Sequence, residues 1–599
     1  MRQLEGFLAA LFLFMAPGLL DAAVPGRIPQ TVWHVLKVEP SDSRTRDFMA
    51  GSGLEIIAAA PDGALEVLAT PQQRQWLESL GIQTSVLIQD YGRFLAEKNA
   101  ETALLAAADE FASGSMGGFF SPQEVLSFVN SLIESDSRGI ISDTFHVGYS
   151  WWEKPIWMVR VSGDTDGSRN LPQVFYNSLI HSREAISMMT LLYFLRFLAQ
   201  NYGVADSVTN LVDSRDLYFL PVFNPDGYEI NWRTFRDSGN YGFWRKNARD
   251  NNSNGSLDVN LDGVDLNRNF DFMWGYDEWG SSNDGRLDNY RGPSAFSEPE
   301  AVAIRDYIRS NTFVTAMNIH SYGPYLLNPF NYANLHTPDS ATYSRLGQML
   351  TAVNGYRYGN VTEMLNYPAN GELTDWEYAD TTKNKIIAWA LEIGTKTDNF
   401  WPPANRITAL AEENLALLFT QARLSGFWPQ FDSIQQVTDS GNPARITLHV
   451  RFSNAGLLAN RESATLRLVE PGGGVVLIDS VAGIQLLQPA DPPVFTTDSL
   501  KVAIQPWVYN TSVKLAFFEG EQRISAVTVE LLRPGEPDFD LDGDGRTGVF
   551  DLLALLRALS SGVPAGEDVS KYDLTGDGRL NVFDLLALLR KLSDLHRHN

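Results

Sequence analysis

Hydrophobic and polar positions follow four different rhythms along the chain. Between Val32 and about Asp90, short apolar runs (Val32 to Val38, Leu54 to Ala59, Leu65 to Ala69) alternate with a helical stretch around Pro71 to Leu80, which predicts a small α+β module. A polar, Ala-rich and Gly-rich stretch ending in Ser113 to Gly118 reads as a linker, so module and linker occupy 24–112. From 118 to 429, apolar strands (Trp157 to Val161, Val174 to Ser178, Asp216 to Val222, Val314 to Ile319, Lys385 to Leu391) alternate with amphipathic helices (Ala185 to Gln200, Pro299 to Arg309, Ser344 to Asn354, Ile407 to Ser425). This predicts an α/β domain with a buried mixed sheet and helices on both faces. Over 430–534 short strands such as Arg445 to Phe452, Ala464 to Val469 and Ser512 to Phe518 are separated by Gly, Pro, Asn and Asp, which predicts an all-β, immunoglobulin-like sandwich. The last rhythm, over 537–595, is a repeat: DLDGDGRTGVFDLLALLRAL from Asp540 returns as DLTGDGRLNVFDLLALLRKL from Asp573.

Composition narrows the chemistry. At 599 residues the chain is too long for one core, and 44% hydrophobic with 20% charged residues is ordinary for globular protein. A formal charge of -25 repels phosphates and argues against nucleic acid as a partner. There is no cysteine, so any metal must be held by His and carboxylates, and only 8 His are available. Arg2, the apolar run from Phe7 to Leu20 and the small residues Ala22 and Ala23 read as a signal peptide over 1–23. The run is short for a membrane span, so a secreted or extracellular protein without stable membrane insertion is expected.

After the strand ending at Ser178, His181 and Glu184 stand three apart, a spacing that lets an imidazole and a carboxylate share one metal. Such a pair is by itself more often a surface feature. His320 ends an apolar strand, where an imidazole needs either a backbone partner or a metal.

HSRE (181–184), NPDG (224–227), WRKN (244–247), VDLNRN (264–269), IHSY (319–322) and LEIGT (391–395) together resemble, in order, the zinc carboxypeptidases of the pancreatic and bacterial type. The resemblance implies a carboxypeptidase-like catalytic domain that hydrolyses C-terminal peptide bonds, with one Zn²⁺ on His181, Glu184 and His320 and a fourth position for water. It implies that Asp265 orients a ligand His, that Glu392 is the general base acting on zinc-activated water, and that Arg245 stabilises the oxyanion. Asn267 and Arg268 match the family's clamp for a terminal carboxylate, Tyr367 its capping tyrosine, and Arg183 and Tyr322 a neighbouring subsite. The family's cis peptide at the position of Ser321 and Tyr322 is left open by the sequence. Thr374 falls where the family separates apolar-selective from basic-selective enzymes, yet it is neither large and apolar nor acidic. Glu372 beside it reads either as an attractor for Lys and Arg or as an exposed loop carboxylate, so the preferred side chain stays open. The Asp- and Asn-rich insertion over 250–262 reads equally as a calcium loop or a solvated one. Lying ahead of a hydrolase, the 24–112 module is pro-segment-like: a cover for the active site, a folding aid or a retained domain.

Each C-terminal repeat opens a twelve-residue loop with oxygen side chains at alternate positions, Gly at the sixth and a carboxylate at the twelfth, which suits hard Ca²⁺. The first loop offers Asp540, Asp542, Asp544 and Asp551; the second offers Asp573, Thr575, Asp577, Asn581 and Asp584, so about two Ca²⁺ are expected. With one helix after each loop and none before it, the pair resembles a type I dockerin, which implies a cohesin-type partner and attachment, at a cell surface or elsewhere outside the cell. Val549 and Phe550, repeated as Val582 and Phe583, either face that partner or fill the space between the helices. Expected substrates are peptides or proteins with a free C-terminus. The alternatives are a same-fold amidase acting on cell-wall peptides and a non-catalytic calcium-dependent binding protein.

Overall fold

The computed structural model describes residues 28, 31–40, 45, 48–49, 52–59, 63–106, 110–460, 464–490, 495–505, 510–532, 538–564, 567–575 and 578–597. The segment read as a signal peptide lies outside the described residues. Among the described residues, no helix is long and apolar enough to cross a membrane.

The N-terminal module is a four-stranded antiparallel sheet, β2-β3-β1-β4, built from β1 (His34–Glu39), β2 (Glu55–Ala59), β3 (Leu65–Ala69) and β4 (Gln83–Ile88). Strand alternation divides β1 between two cores. Leu36 and Val38 pack on Leu65, Val67 and Leu77 inside the module, while Val35 joins Trp33 and Leu95 in the core of the next domain. The stretch expected to be a linker is mostly the helix Tyr91–Ala106, whose alanines favour helix more than their small size suggests in a loop.

The central domain carries an eight-stranded mixed sheet, β11-β10-β12-β9-β7-β8-β6-β5. Its strands are β5 (Phe145–Tyr149), β6 (Pro155–Val161), β7 (Gln173–Ser178), β8 (Asp216–Leu220), β9 (Phe313–Ser321), β10 (Tyr325–Leu327), β11 (Arg357–Gly359) and β12 (Ile387–Ile393). The four neighbours β8, β7, β9 and β12 run parallel, are apolar nearly throughout and are covered on both faces. The helix Ala185–Asn201, buried along most of its length, packs on this sheet and against the helix Ala404–Leu424, which reaches the sheet itself where Tyr176 donates to Leu418 O and Gln421 to Thr315. In-register pairing sets Glu392 beside His320 and Ile319 beside Ser178, so the ends of β7, β9 and β12 meet at one edge. Ligand sites of open α/β sheets form at that carboxyl edge. Strand β12 runs two residues beyond the expected Leu391, which places Glu392 inside the strand.

Two four-stranded antiparallel sheets follow, one of Pro429–Asp439, Asn442–Asn454, Phe495–Ile504 and Val475–Asp479, the other of Val481–Gly483, Ala464–Val469, Asn510–Glu519 and Gln522–Leu532. Alternate residues Ile446, Leu448, Val450 and Phe452 meet Val513, Leu515 and Phe517 between them. Arg215 rivets this unit to the central domain: its guanidinium donates to the carbonyls of Ser214, Ala422, Arg423 and Phe427. Arg523 adds ion pairs to Asp206 and Glu470. The chain ends in helices Val549–Ser561 and Val582–Arg597, which share a small core around Leu555, Leu574 and Leu588.

Candidate active site and metal centres

The edge of the sheet gathers the predicted metal ligands. Beyond β7, Leu179 adopts φ 56° and turns the chain so that His181 and Glu184 project over the strand ends. Glu184 stands at the N-cap of the Ala185–Asn201 helix yet does not cap it; its carboxylate turns instead to the two imidazoles. His181 Nδ1 lies 2.8 Å from Glu184 Oε1, and His320 Nδ1 lies 3.1 Å from Glu184 Oε2 and 3.2 Å from His181 Nδ1. Two nitrogens each about 2.05 Å from one tetrahedral Zn²⁺ would stand about 3.3 Å apart, so the spacing fits that ion. All three side chains are buried, and together they form one of the two metal-compatible clusters among the described residues.

Asp265 supports this set from behind. Its Oδ1 sits 3.3 Å from His181 Nε2, which has no well-aligned hydrogen-bond partner, and its Oδ2 accepts from Arg245 Nε and Nη2 at 3.1 and 2.9 Å. Burial alone would raise the Asp265 carboxyl, but Arg245, His181 and Arg268 outweigh it and hold it well below the usual carboxylate range. The same pairing aims Arg245 at the cleft. Burial pushes the Glu392 carboxyl up to about 7, against the pull of His320 and with help from Glu184 and Glu55.

These groups open into a cleft of about 400 Å³ that also takes in Arg183, Asn267, Arg268, Tyr322 and Tyr367. Arg268 donates through Nε to Gly280 O and through Nη1 to Asn267 O. Asn267 Oδ1 accepts from Leu373 N, which leaves the amide NH₂ for the cleft. The peptide Ser321–Tyr322 is cis, and the Tyr322 ring meets Phe400 edge-on. Thus the sequence-predicted side chains converge, with one exception in the specificity residues. Thr374 does not line the cleft; it is buried and accepts from Asn318. Glu372, for which an exposed loop position was one expectation, is 4% exposed and lines the cleft, because Asn331 reaches across to hold it.

One participant escaped the sequence entirely. Glu55, from β2 of the N-terminal module, enters the cleft and pairs with Arg183 at 2.9 Å, with Gly53 to Ile57 along the cleft wall. Arg183 is held from its other side by Asp288 at 2.9 Å and stacks over Phe400. A glutamate opening a short strand carries no periodic signal, so no pattern could have marked it.

The calcium repeats form independently of this site. Asp540, Asp542 and Asp544 cluster as the second metal-compatible group, and Asp551 Oδ1 accepts from Leu541 and Asp542 N–H while Oδ2 accepts from Gly548 N–H. In the second loop Asp573 accepts from Gly578 N–H, and Asp584 accepts from Thr575 and Asn581 N–H. The Thr575 hydroxyl donates to Asp584 Oδ1, Asn581 Oδ1 accepts from Phe583 N–H, and Asp577 lies outside the described residues. The 250–262 insertion repeats the first loop's turn: Asn254 and Gly255 N–H donate to Asp250, and Asp262 accepts from Asn251 and Asp258 N–H. Val549, Phe550, Val582 and Phe583 are exposed instead of filling the space between the helices.

Two imidazoles and a carboxylate, open to a cleft at the carboxyl edge of a mixed sheet, fit a catalytic mononuclear zinc site. The family model "Zinc carboxypeptidase" matches residues 131–417, and "Dockerin type I domain" matches 538–593. Carboxypeptidase A2 of Mus musculus is 30% identical over 346 residues, covering 56% of this chain and 78% of that protein. Carboxypeptidase A1 of Rattus norvegicus is 29% identical over 400 residues, covering 65% of this chain and 89% of that protein. The crystal structure of carboxypeptidase A from Helicoverpa armigera shares the fold, with TM-score 0.53 and 24% identity over 66% of this chain and 98% of that one. The chain therefore belongs to the zinc carboxypeptidase family and carries a C-terminal dockerin domain.

Proposed function

We propose that the protein is an exported carboxypeptidase that removes residues one at a time from peptide C-termini and is held at its place of work by the dockerin domain. The observation that carries this reading is the convergence of His181, Glu184 and His320 with Glu392, Arg245 and Arg268 on one cleft. Zinc held by the first three supplies a Lewis acid and lowers the pKa of water. Arg268, with Asn267, grips the terminal carboxylate, which restricts cleavage to the last peptide bond. Glu392 takes the proton from the attacking water and passes it to the leaving amine. Arg245, oriented by Asp265, meets the oxyanion with fixed positive charge, and Tyr367 closes over the bound residue. Arg183 and Tyr322 bind the residue ahead of the scissile bond.

In the same reading, residues 24–112 are an inhibitory pro-segment, residues 1–23 its export signal and residues 118–429 the catalytic domain. The immunoglobulin-like unit over 430–534 spaces that domain from the dockerin at 537–595. The pro-segment assignment rests on Glu55, whose carboxylate occupies the Arg183 guanidinium a substrate would use. Two Ca²⁺ order the dockerin, and the exposed pairs Val549–Phe550 and Val582–Phe583 present the same face to a cohesin-type partner. The test is mass spectrometry of a mixed peptide pool incubated with the zinc-loaded chain, intact and nicked within 107–118. Successive one-residue losses from C-termini, faster after nicking, are expected; internal cuts or no cuts after nicking overturn the reading.

A further inference from the structure

We propose that Asn370 is a positioning residue for the Tyr367 cap: it fixes the base of the capping segment to the turn Asp277–Ser281, on which the Arg268 clamp is also seated. This rests on the carboxypeptidase reading above and concerns how one part of that site is held. Tyr367 follows the helix Val361–Leu365, which ends where Asn366 takes φ 62° and donates through its N–H to Thr362 O. Among the described residues, neither the N–H nor the hydroxyl of Tyr367 makes a hydrogen bond, so no polar contact fixes the cap itself. The residues just beyond it are fixed one after another. Ala369 N–H donates to Asn331 O at 2.8 Å. Asn370 donates through its N–H to Gly280 O at 3.3 Å and through Nδ2 to Asp277 Oδ1 at 2.8 Å, and its Oδ1 accepts from Ser281 Oγ. Gly371 takes φ 69° and accepts from Phe270 N–H, packed so closely that a Cβ would stand 2.5 Å from Arg268 O.

The turn that receives Asn370 is itself braced. Asp277 Oδ1 also accepts from Trp279 and Gly280 N–H, and the Arg291 guanidinium donates to Asp277 O and Ser281 O. Gly280 is small enough for the contact: a Cβ there would stand 2.6 Å from Asn370 Nδ2. Its carbonyl accepts twice, from Asn370 N–H and from Arg268 Nε at 2.8 Å. One oxygen thus carries both the base of the cap and the guanidinium that grips the substrate's end. Asn370 is wholly buried and does not line the cleft, so it has no substrate atom to touch. Its effect passes through Tyr367, whose swing is confined to the few bonds between Asn366 and Ala369. Small displacements of a group that closes over a substrate weaken its contacts steeply, which is what such bracing prevents.

The experiment measures kcat and KM of the nicked, zinc-loaded full chain on one peptide with a free C-terminus, for wild type, Asn370→Ala, Tyr367→Ala and the double variant. Each single change is expected to raise KM about 5- to 20-fold with kcat altered less, and the double variant to be no worse than Tyr367→Ala. A merely structural role would add its own loss to that of Tyr367→Ala. Where Asn370→Ala fails to fold, Asp277→Ala, at the half-buried end of the same pair, takes its place in the cycle. Asn370→Asp sets two carboxylates against each other and is expected to raise KM; adding Asp277→Asn, which returns a donor to the pair, is expected to bring KM back to within about threefold of wild type. Losses that multiply in the double variant, a KM unmoved by the single changes, or no recovery in the exchanged pair overturn the inference and leave the carboxypeptidase reading standing. Failure of the wild-type chain to shorten the peptide overturns that reading, and the inference with it.

Discussion

The zinc centre and the calcium repeats solve one problem in opposite ways. His181 and His320 are 139 residues apart and are brought together by the parallel pairing of β7, β9 and β12. Each calcium loop draws its ligands from twelve consecutive residues, braced by backbone N–H groups of the same loop. The zinc ligands stand on strands and a helix that belong to the large core of the central domain. The calcium loops set several carboxylates side by side over a core of a few leucines, and like charges so close need the cation between them.

The sharpest test of a prebuilt zinc centre changes its chemistry without touching its ligands. Glu392→Gln is expected to lower kcat by about 10³- to 10⁴-fold while zinc stays stoichiometric by elemental analysis. Next comes metal removal. After exhaustive chelation and return of zinc alone, peptidase activity should recover while the helical circular dichroism of the dockerin domain returns only when calcium is added. Recovery of that signal without calcium would break the comparison. Asp265→Asn, which weakens the brace behind His181, is expected to reduce zinc affinity about 10- to 100-fold in competition with a chelator. Glu55→Ala, which frees Arg183 from the module, should raise the activity of the unnicked chain about tenfold. The smallest effect is predicted for Phe550→Asp: with an equivalent face at Val582 and Phe583, cohesin binding should weaken about twofold, and be lost only when Phe583 is changed too.

What could be read in the sequence follows the same division. The calcium repeats are legible because their ligands are contiguous and recur. The zinc ligands are legible only as fragments, and His181 with Glu184 would have remained an unremarkable pair without the ordered motifs around them. The strands and long helices of the central domain emerge from periodicity, since burial on both faces leaves near-continuous apolar runs such as that of β9. The helix Tyr91–Ala106 was hidden because its alanines and polar residues lack a strong apolar stripe, and packing against the central domain decides the matter. Glu55 was hidden, and Glu372 left open between two readings, for another reason. Whether a carboxylate faces solvent or a cleft depends on residues far away in the chain, Arg183 for one and Asn331 for the other.

Arg215 has a mechanical consequence. By donating to the last carbonyls of the Ala404–Leu424 helix and to Phe427 at the start of the next unit, it turns what could be a hinge into a stiff bracket. In the proposed reading, enzyme and spacer would diffuse as one body, with the mouth of the cleft at a constant bearing relative to the far end of the spacer. An anchored molecule would therefore sweep its surroundings in a preferred direction instead of sampling every orientation.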